Sequence, residues 1–570
     1  METRATKSNG NTKDAFDAIV VGAGWAGMYM LHRLRLLGLS VRVVEAGSGV
    51  GGTWYWNRYP GARCDVASLD YSYSFSDEIQ QEWVWSERYA AQPEVERYAN
   101  FVADRLDLRR DIQFDTRVTS AEYVEALGLW QILTDKNESY SAKYCFMAIG
   151  IYSAPNTPQI QGIESFRGEM FHTALWPKEN VEFSGKRIGV IGTGSSGVQT
   201  ITAIAGTDVK HINVFQRTAG YAVPARNSAL DPEFLREFKK SYTEYREAAR
   251  RSRPGITLPF GGPLGGASEE EFTRRMDEAW EHGGVGVVVS VADAMTDKAV
   301  NERVAEYLRQ KVRERVDDPV IAEALCAKGY HVGARRMVVE TGYFELFNQP
   351  NVTLVDLNVD PIVEIVPGGV RTKHSTYELD MLVLATGFDS GTGAALRIAI
   401  TGRNCTSLSE KWRSGPVTFL GLMVAGFPNL FFIAQPGSPS LRAQVMVAIE
   451  QHVDWLTRLV SDLEEGGIQA VEASPEAEAL WTDHVAQTAN ATLISKDDTQ
   501  YVGANIPGKP RVYLAYLGGV SRYGDICEAV YENGYEGLLF TKPGERTMGK
   551  RVWSGPPEDE HSPTLSGRTI

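Results

Sequence analysis

Two glycine patterns carry the chemistry of this chain. Gly22-Ala23-Gly24-Trp25-Ala26-Gly27 follows the apolar run 18–21, and Gly192-Thr193-Gly194-Ser195-Ser196-Gly197 follows the apolar run 188–191. A helix-compatible stretch follows each, so both read as strand, tight turn, helix. In such a unit the first two glycines let the backbone approach a pyrophosphate, and the third lets helix pack on strand. The helix N-terminus adds free N–H groups and a positive dipole end. A single match leaves open that the glycines serve only a tight turn. Two matches in this context point to two dinucleotides held at once.

The end of the next strand separates the two sites. After the first turn, Val41-Arg42-Val43-Val44-Glu45 ends in a carboxylate about 20 residues past the glycines, where a ribose diol is hydrogen-bonded. Glu45 suits FAD or NAD, because a 2'-phosphate there would meet a like charge. After the second turn, Ile212-Asn213-Val214-Phe215-Gln216 runs into Arg217 and Thr218, a guanidinium and a hydroxyl of the kind that accept a 2'-phosphate. The second site is therefore expected to prefer NADPH, with an idle surface arginine as the alternative for Arg217.

The elements that must position these groups set the organisation. At 570 residues the prior is roughly three or four domains, each able to bury its own core. The polar start gives way at Phe16 to the first nucleotide unit, and a strand-like segment ends at Gly150 before Pro155 and Pro158. A second strand, 379–386, ends at Gly387; the two glycine ends predict paired crossings between interleaved nucleotide domains. Between 231 and 329 the texture turns to charged helical segments (233–251, 297–315) around a Gly/Pro-rich, mobile 254–267. The predicted fold is α/β, with two interleaved Rossmann-like dinucleotide-binding domains and an inserted helical region. Its parts are an FAD domain (1–150 and 390–540), an NADP domain (151–230 and 330–389), the insertion (231–329) and a tail (541–570) ordered only where it docks. A long helix is expected over 448–464.

Composition narrows the function classes. Charged residues at 23% and hydrophobic ones at 43% describe an ordinary globular protein. The net charge of −14 argues against a nucleic-acid partner, which needs clustered Lys and Arg. Five cysteines, Cys64, Cys145, Cys326, Cys405 and Cys527, are scattered without a C-x-x-C pair. That spacing speaks against a disulfide reductase or a thiolate metal site and fits a reducing, cytoplasmic setting. No run of about 18 uninterrupted apolar residues exists, so no membrane span is expected. A monomer is the expected state, with self-association left open.

Phe166-Arg167-Gly168-Glu169-Met170-Phe171-His172-Thr173-Ala174-Leu175-Trp176-Pro177 matches an F-x-G-x-x-x-H-x-x-x-W-P pattern and stands just before the second glycine turn. On this segment the chain resembles the type I Baeyer–Villiger monooxygenases, flavoenzymes that insert oxygen beside a ketone carbonyl. The resemblance covers roughly 16–540. It includes Gly51-Gly52-Thr53-Trp54, Tyr59-Pro60-Gly61-Ala62-Arg63-Cys64-Asp65, Ala385-Thr386-Gly387 and Gly503-Ala504-Asn505-Ile506-Pro507-Gly508-Lys509. It implies FAD on the first turn, NADPH/NADP+ on the second, and O2 and a ketone as substrates, through a C4a-peroxyflavin that needs a fixed positive charge and little water. Within His331-Val332-Gly333-Ala334-Arg335-Arg336, which resembles the family's G-x-K-R segment, Arg336 is the implied catalytic arginine and Arg335 the contact to the 2'-phosphate. Without that match the pair would read as exposed and basic. Asp65 is the expected carboxylate orienting Arg336, its plainer reading a solvated turn residue. Gly51, Gly52, Thr53, Trp54 and Tyr71 are expected to shape the flavin bed, although core packing explains Tyr71 almost as well. His172 with Trp176 is expected to couple the two domains rather than act as a base.

Three positions depart from the family pattern. Gln500 stands where a Trp is usual, replacing an indole donor and its flat face by an amide. Gln435-Pro436 replaces Gly-Pro, and Arg335 replaces Lys, keeping charge but changing geometry. Substrate choice is assigned to 436–443, including Ser440, Leu441 and Arg442, and to 254–267. Arg442 puts a charge where an apolar ketone pocket wants none; it either points to solvent or meets a remote polar group on the substrate. Sulfoxidation is the expected side reaction. The rivals are a flavin-dependent N- or S-monooxygenase and a flavin-binding sensor without turnover.

Overall fold

The apolar run 18–21 is the inner half of a strand, Thr12–Val21, with parallel partners on both sides, Val41–Val44 and Ser139–Met147. Ala18, Ile19 and Val20 are fully buried on both faces of the sheet, which is why this segment is continuously apolar rather than alternating. The computed structural model describes residues 12–543 and 552–556. In it this strand belongs to an eight-stranded sheet that also holds Ile112–Gln113, Val118–Val124, Leu129–Thr134, Ala399–Thr401 and Leu430–Phe432. The last two come from far along the chain, so the sheet is assembled from discontinuous segments.

A second sheet is built the same way. Its five strands, in spatial order Val352–Asp356, His211–Gln216, Arg187–Ile191, Met381–Leu384 and Glu169–His172, are all parallel. Each glycine turn leads into a helix: Trp25–Leu36 from the first sheet and Ser195–Ala205 from the second. Both turns thus lie at the carboxyl ends of parallel strands, where open α/β sheets bind ligands.

The two glycine-ended segments run side by side. Asn156 N–H donates to Gly387 O (2.9 Å) and Asp389 N–H to Ala154 O (2.8 Å), around an antiparallel bridge between Pro155 and Phe388. Between the sheets' contributions, six helices occupy Pro232–Lys239, Tyr242–Arg251, Glu269–His282, Gly286–Val289, Lys298–Arg313 and Pro319–Leu325. Asp231, Ser268, Asp297 and Asp318 cap four of them through side-chain oxygens, which sets where each begins.

The 254–267 segment, expected to be mobile, is instead anchored. Ile256 and Leu264 are buried, and Leu264 and Gly265 N–H both donate to the Asp293 carboxylate. Gln444 N–H closes its other end on Pro254 O (2.9 Å). The long helix is Val445–Glu465, its outset fixed by the Gln444 side chain accepting from Val447 N–H (3.1 Å). In the tail, Trp553 is buried against Phe419 and Trp481. Residues 544–551 and 557–570 of that expected tail lie outside the described residues.

Candidate active site between the two nucleotide turns

In the first turn, Gly22 has φ 100°, and a Cβ there would come within 2.6 Å of Ala148 O; a Cβ on Gly27 would sit 1.8 Å from Gly22 O. Both glycines are demanded by the protein's own packing. The helix N-cap, Gly24, offers no side chain to the first-turn N–H groups, which leaves them free for an anion. Glu45 is buried, and its two oxygens accept Ala23 N–H and Gly47 N–H, each at 2.7 Å. Burial pushes its carboxyl pKa up while those N–H groups oppose the shift. With the Trp56 side chain as a further donor, these bonds leave a lone pair on a carboxylate that can accept about four, open to a ribose hydroxyl.

Of the residues expected to shape a flavin bed, Gly51 and Gly52 lie against this turn. Gly51 N–H donates to Ala23 O (3.1 Å), and a Cβ on Gly52 would be 2.9 Å from Gly24 Cα. Gly52 then starts a short helix, Thr53–Trp56, with Thr53 exposed. Trp54 Nε1 donates to Tyr71 OH (3.0 Å), and the two rings meet edge to face at 5.8 Å. Tyr71 is thus tied to Trp54 and to the aromatic core at Trp25.

The second turn repeats the arrangement. A Cβ on Gly192 would meet Ala385 O at 2.4 Å, and one on Gly197 would meet Gly192 O at 2.1 Å. Gly194 differs: a Cβ there has nothing within 4 Å, so only something approaching from outside the chain needs that glycine bare. Ser196 sits half-buried in the first turn of the following helix. Arg217 is exposed just past the strand end, and no carboxylate pairs with it among the described residues. Its backbone is held by Asn358 Nδ2 donating to Arg217 O (2.8 Å), and Thr218 O accepts from Thr193 Oγ1 (3.3 Å). Bare glycines at the close approaches, open helix N-termini and an uncommitted guanidinium fit two dinucleotides.

Asp65 and Arg336 meet between the turns. Arg336 donates to both Asp65 oxygens, Nε to Oδ2 and Nη2 to Oδ1, across 271 positions of sequence. The Asp65 charge outweighs the opposing effect of burial and raises the Arg336 pKa well above its already high ordinary value. The pair is not sealed: 35% of the Arg336 side chain and 16% of Asp65 remain open. What brings Asp65 here is its segment's grip on the helix after the second turn. Tyr59 OH donates to Gln199 Oε1 (2.9 Å), Gln199 Nε2 donates to Arg63 O (3.1 Å), and a Cβ on Gly61 would come within 2.5 Å of Gln199 O. Arg335 points elsewhere, its guanidinium 4.6 Å from the Tyr330 ring centroid with Nε buried and unpaired.

His172 is a connector. Its Nδ1 accepts Ala174 N–H (3.0 Å), so the ring proton resides on Nε2, which faces Asn156 O (3.3 Å) and Thr386 Oγ1 (3.2 Å). Burial lowers its pKa, keeping the ring neutral. One histidine therefore touches both glycine-ended crossings. Trp176 packs with Phe171 and Phe183 in the core of the second sheet.

Known proteins resemble this chain in sequence and fold. The family model of pyridine nucleotide-disulphide oxidoreductases matches residues 19–252. A Baeyer-Villiger monooxygenase of Pseudooceanicola batsensis is 39% identical over 555 residues, spanning 96% of this chain and 99% of that protein. The chain belongs to the Baeyer–Villiger monooxygenase family. A phenazine N-monooxygenase of Lysobacter antibioticus is 38% identical over 535 residues, spanning 93% of this chain and 98% of its own. A solved structure of OTEMO in complex with FAD and NADP is 38% identical, with a TM-score of 0.89, and covers 92% of this chain and 99% of that one.

Against the Baeyer–Villiger pattern, the substituted positions take definite places. Gln435 is fully buried, donating through Nε2 to Gly150 O (3.0 Å), with Oε1 unpaired. Gln500 is half-buried at the start of a short helix, Gln500–Val502, that Thr499 caps. Ser440 and Leu441 turn into the protein, Ser440 Oγ lying 2.9 Å from Ser438 Oγ and Leu441 packing with Tyr501 and Leu514. Sequence reasoning missed the tyrosines that surround the arginine. Tyr501 and Tyr152 both act electrostatically on Arg336. Tyr501 adjoins the substituted position Gln500, which is its one signal; Tyr152 follows the Gly150 crossing and has none.

Proposed function

We propose that the protein is an NADPH- and O2-dependent, FAD-containing monooxygenase that inserts one oxygen atom next to a ketone carbonyl, giving an ester or lactone. Membership of the Baeyer–Villiger family over nearly the whole chain supports this, and the Arg336–Asp65 pair between two dinucleotide turns carries it. FAD bound at the first turn supplies the two-electron chemistry that takes a hydride from NADPH and activates O2.

The chain's own residues do the rest. Gly22, Gly24, Gly27 and the helix behind them bind one pyrophosphate; Gly192, Gly194, Ser196 and Gly197 bind the other. Glu45 takes the ribose of FAD, and Arg217, Thr218 and Arg335 take the 2'-phosphate of NADPH. Gly52, Thr53, Trp54, Tyr71 and Gln500 line the reacting ring and limit water. Arg336 presents a charge that no working pH removes to the oxygen on which negative charge develops, and Asp65 holds its fork in place. His172 and Trp176 keep the two crossings in step. The units taken as 1–150 with 390–540, and 151–230 with 330–389, then move as the two halves of the site, in a monomer of the cytoplasm.

N-oxidation is the second reading, favoured by the likeness to a phenazine N-monooxygenase. Purified protein loaded with FAD, NADPH and O2 decides the matter. With a cyclic ketone the expected result is one lactone per NADPH consumed. NADPH oxidation that yields only hydrogen peroxide with every ketone, but an N-oxide with a heteroaromatic amine, would favour the second reading. No NADPH oxidation at all would mark a sensor.

A further inference from the structure

The loop that ends the Pro439–Leu441 turn sends one charged side chain toward the reacting centre. Arg442 does not point to solvent. Its Nη2 donates to Gly333 O (2.6 Å), three residues before Arg336, and its guanidinium carbon lies 4.7 Å from the centroid of the Tyr501 ring. Three residues span at most about 10 Å of backbone, so Arg442 is anchored within that distance of the segment presenting Arg336. Tyr501 is the shared neighbour of both arginines.

The charges here do not balance. Arg336 has Asp65, but no carboxylate lies within ion-pair distance of Arg442 among the described residues. The nearby Asp497 carboxylate is committed to His331, accepting from its backbone N–H (3.0 Å) and meeting Nδ1 at 2.9 Å. Neutral partners, the Gly333 carbonyl, the Met295 sulfur at 4.0 Å and the Tyr501 side chain, occupy only part of a fork with five donors. Beside it the Tyr513 hydroxyl is buried without a hydrogen-bond partner. A half-buried cation with no counter-ion is costly to hold, and a hydrocarbon ketone returns none of that cost.

On the monooxygenase reading above, we infer that Arg442, with the Tyr513 hydroxyl, anchors a carboxylate carried by the substrate, so that the preferred ketone is an oxo acid. The carboxylate end sits on Arg442 and the carbonyl end faces Arg336. Arg442 is a positioning and specificity residue; Arg336 remains the catalytic one.

The test compares an oxocyclohexane carboxylate with its methyl ester in the FAD-loaded enzyme under saturating NADPH and O2. A charge-assisted contact predicts that the acid exceeds the ester in kcat/KM by about ten- to a hundred-fold, chiefly through KM. In Arg442→Leu that preference falls to about one or reverses, and Arg442→Lys restores part of it. If the leucine variant loses its flavin, the wild-type ratio alone decides. A wild-type ratio at or below one overturns the inference. So does an equal loss on both substrates accompanied by a raised KM for NADPH, which would assign Arg442 to the coenzyme. Failure of acid, ester and simple cyclic ketones alike to give any lactone would instead overturn the monooxygenase reading.

Discussion

Replacing Arg336 by Ala removes a preorganised donor and also leaves the Asp65 carboxylate alone, turning a neutral pair into a net negative charge at the reacting centre. The rate effect of losing one such donor is about 10²- to 10³-fold, and here the loss is expected at or beyond that range because the charge left behind has the wrong sign. The stability effect is separate. Breaking a sealed ion pair by removing one partner costs about 3–5 kcal/mol. With Arg336 35% and Asp65 16% open to solvent, screening brings the expected cost to about 2 kcal/mol. The double variant Arg336→Ala with Asp65→Asn separates the two effects. It restores local neutrality and most of the stability, but it does not restore the cation. Ester formation by gas chromatography, hydrogen peroxide release and NADPH consumption are measured together on both variants. Both are expected to oxidise NADPH while making almost no ester. If the double variant returns to within about tenfold of the wild-type rate, Arg336 serves only to neutralise Asp65 and the catalytic reasoning is wrong.

Three further outcomes are expected. Gly194→Ala folds with its flavin content intact, because its Cβ meets nothing within 4 Å, but weakens NADPH binding; Gly197→Ala, whose Cβ would lie 2.1 Å from Gly192 O, fails to accumulate as soluble protein. Equal expression and equal KM for NADPH in the two variants would contradict this. Arg217→Ala lowers the preference for NADPH over NADH by about tenfold, the scale of one charge-assisted contact, read from the two kcat/KM values. An unchanged ratio would return Arg217 to an idle surface role. His452 is fully buried, accepts Ala434 N–H through Nδ1 (3.1 Å), and is pushed down by burial from 6.5 to about 3. The unfolded chain therefore takes up this proton first, so the stability is complete above about pH 6.5 and is lost as pH falls toward about 3. His452→Gln flattens that part of the acid-unfolding profile; an unchanged slope would remove His452 as its source.

Much of this molecule is written in local patterns. The two glycine turns, the carboxylate at Glu45 and the guanidinium at Arg217 are legible because strand, turn and helix are contiguous in sequence, and the turn's geometry dictates residue types at fixed spacing. The anchoring of 254–267 was not legible: its glycines and prolines read as freedom, while the Asp293 carboxylate and the Gln444 backbone that hold it come from distant parts of the chain.

What the sequence by itself determined is the chemistry available: two glycine turns of the dinucleotide-binding pattern, a carboxylate and a guanidinium at the strand ends that follow them, and a candidate arginine. What only the tertiary structure decided is which charges share a space. Asp65 reaches Arg336 because Gln199 clasps the 59–65 segment, and Arg442 comes beside the segment that presents Arg336 by donating to Gly333 O. Ion pairing depends on distance in space, falling with separation and with exposure to water, and neither quantity is set by position along the chain.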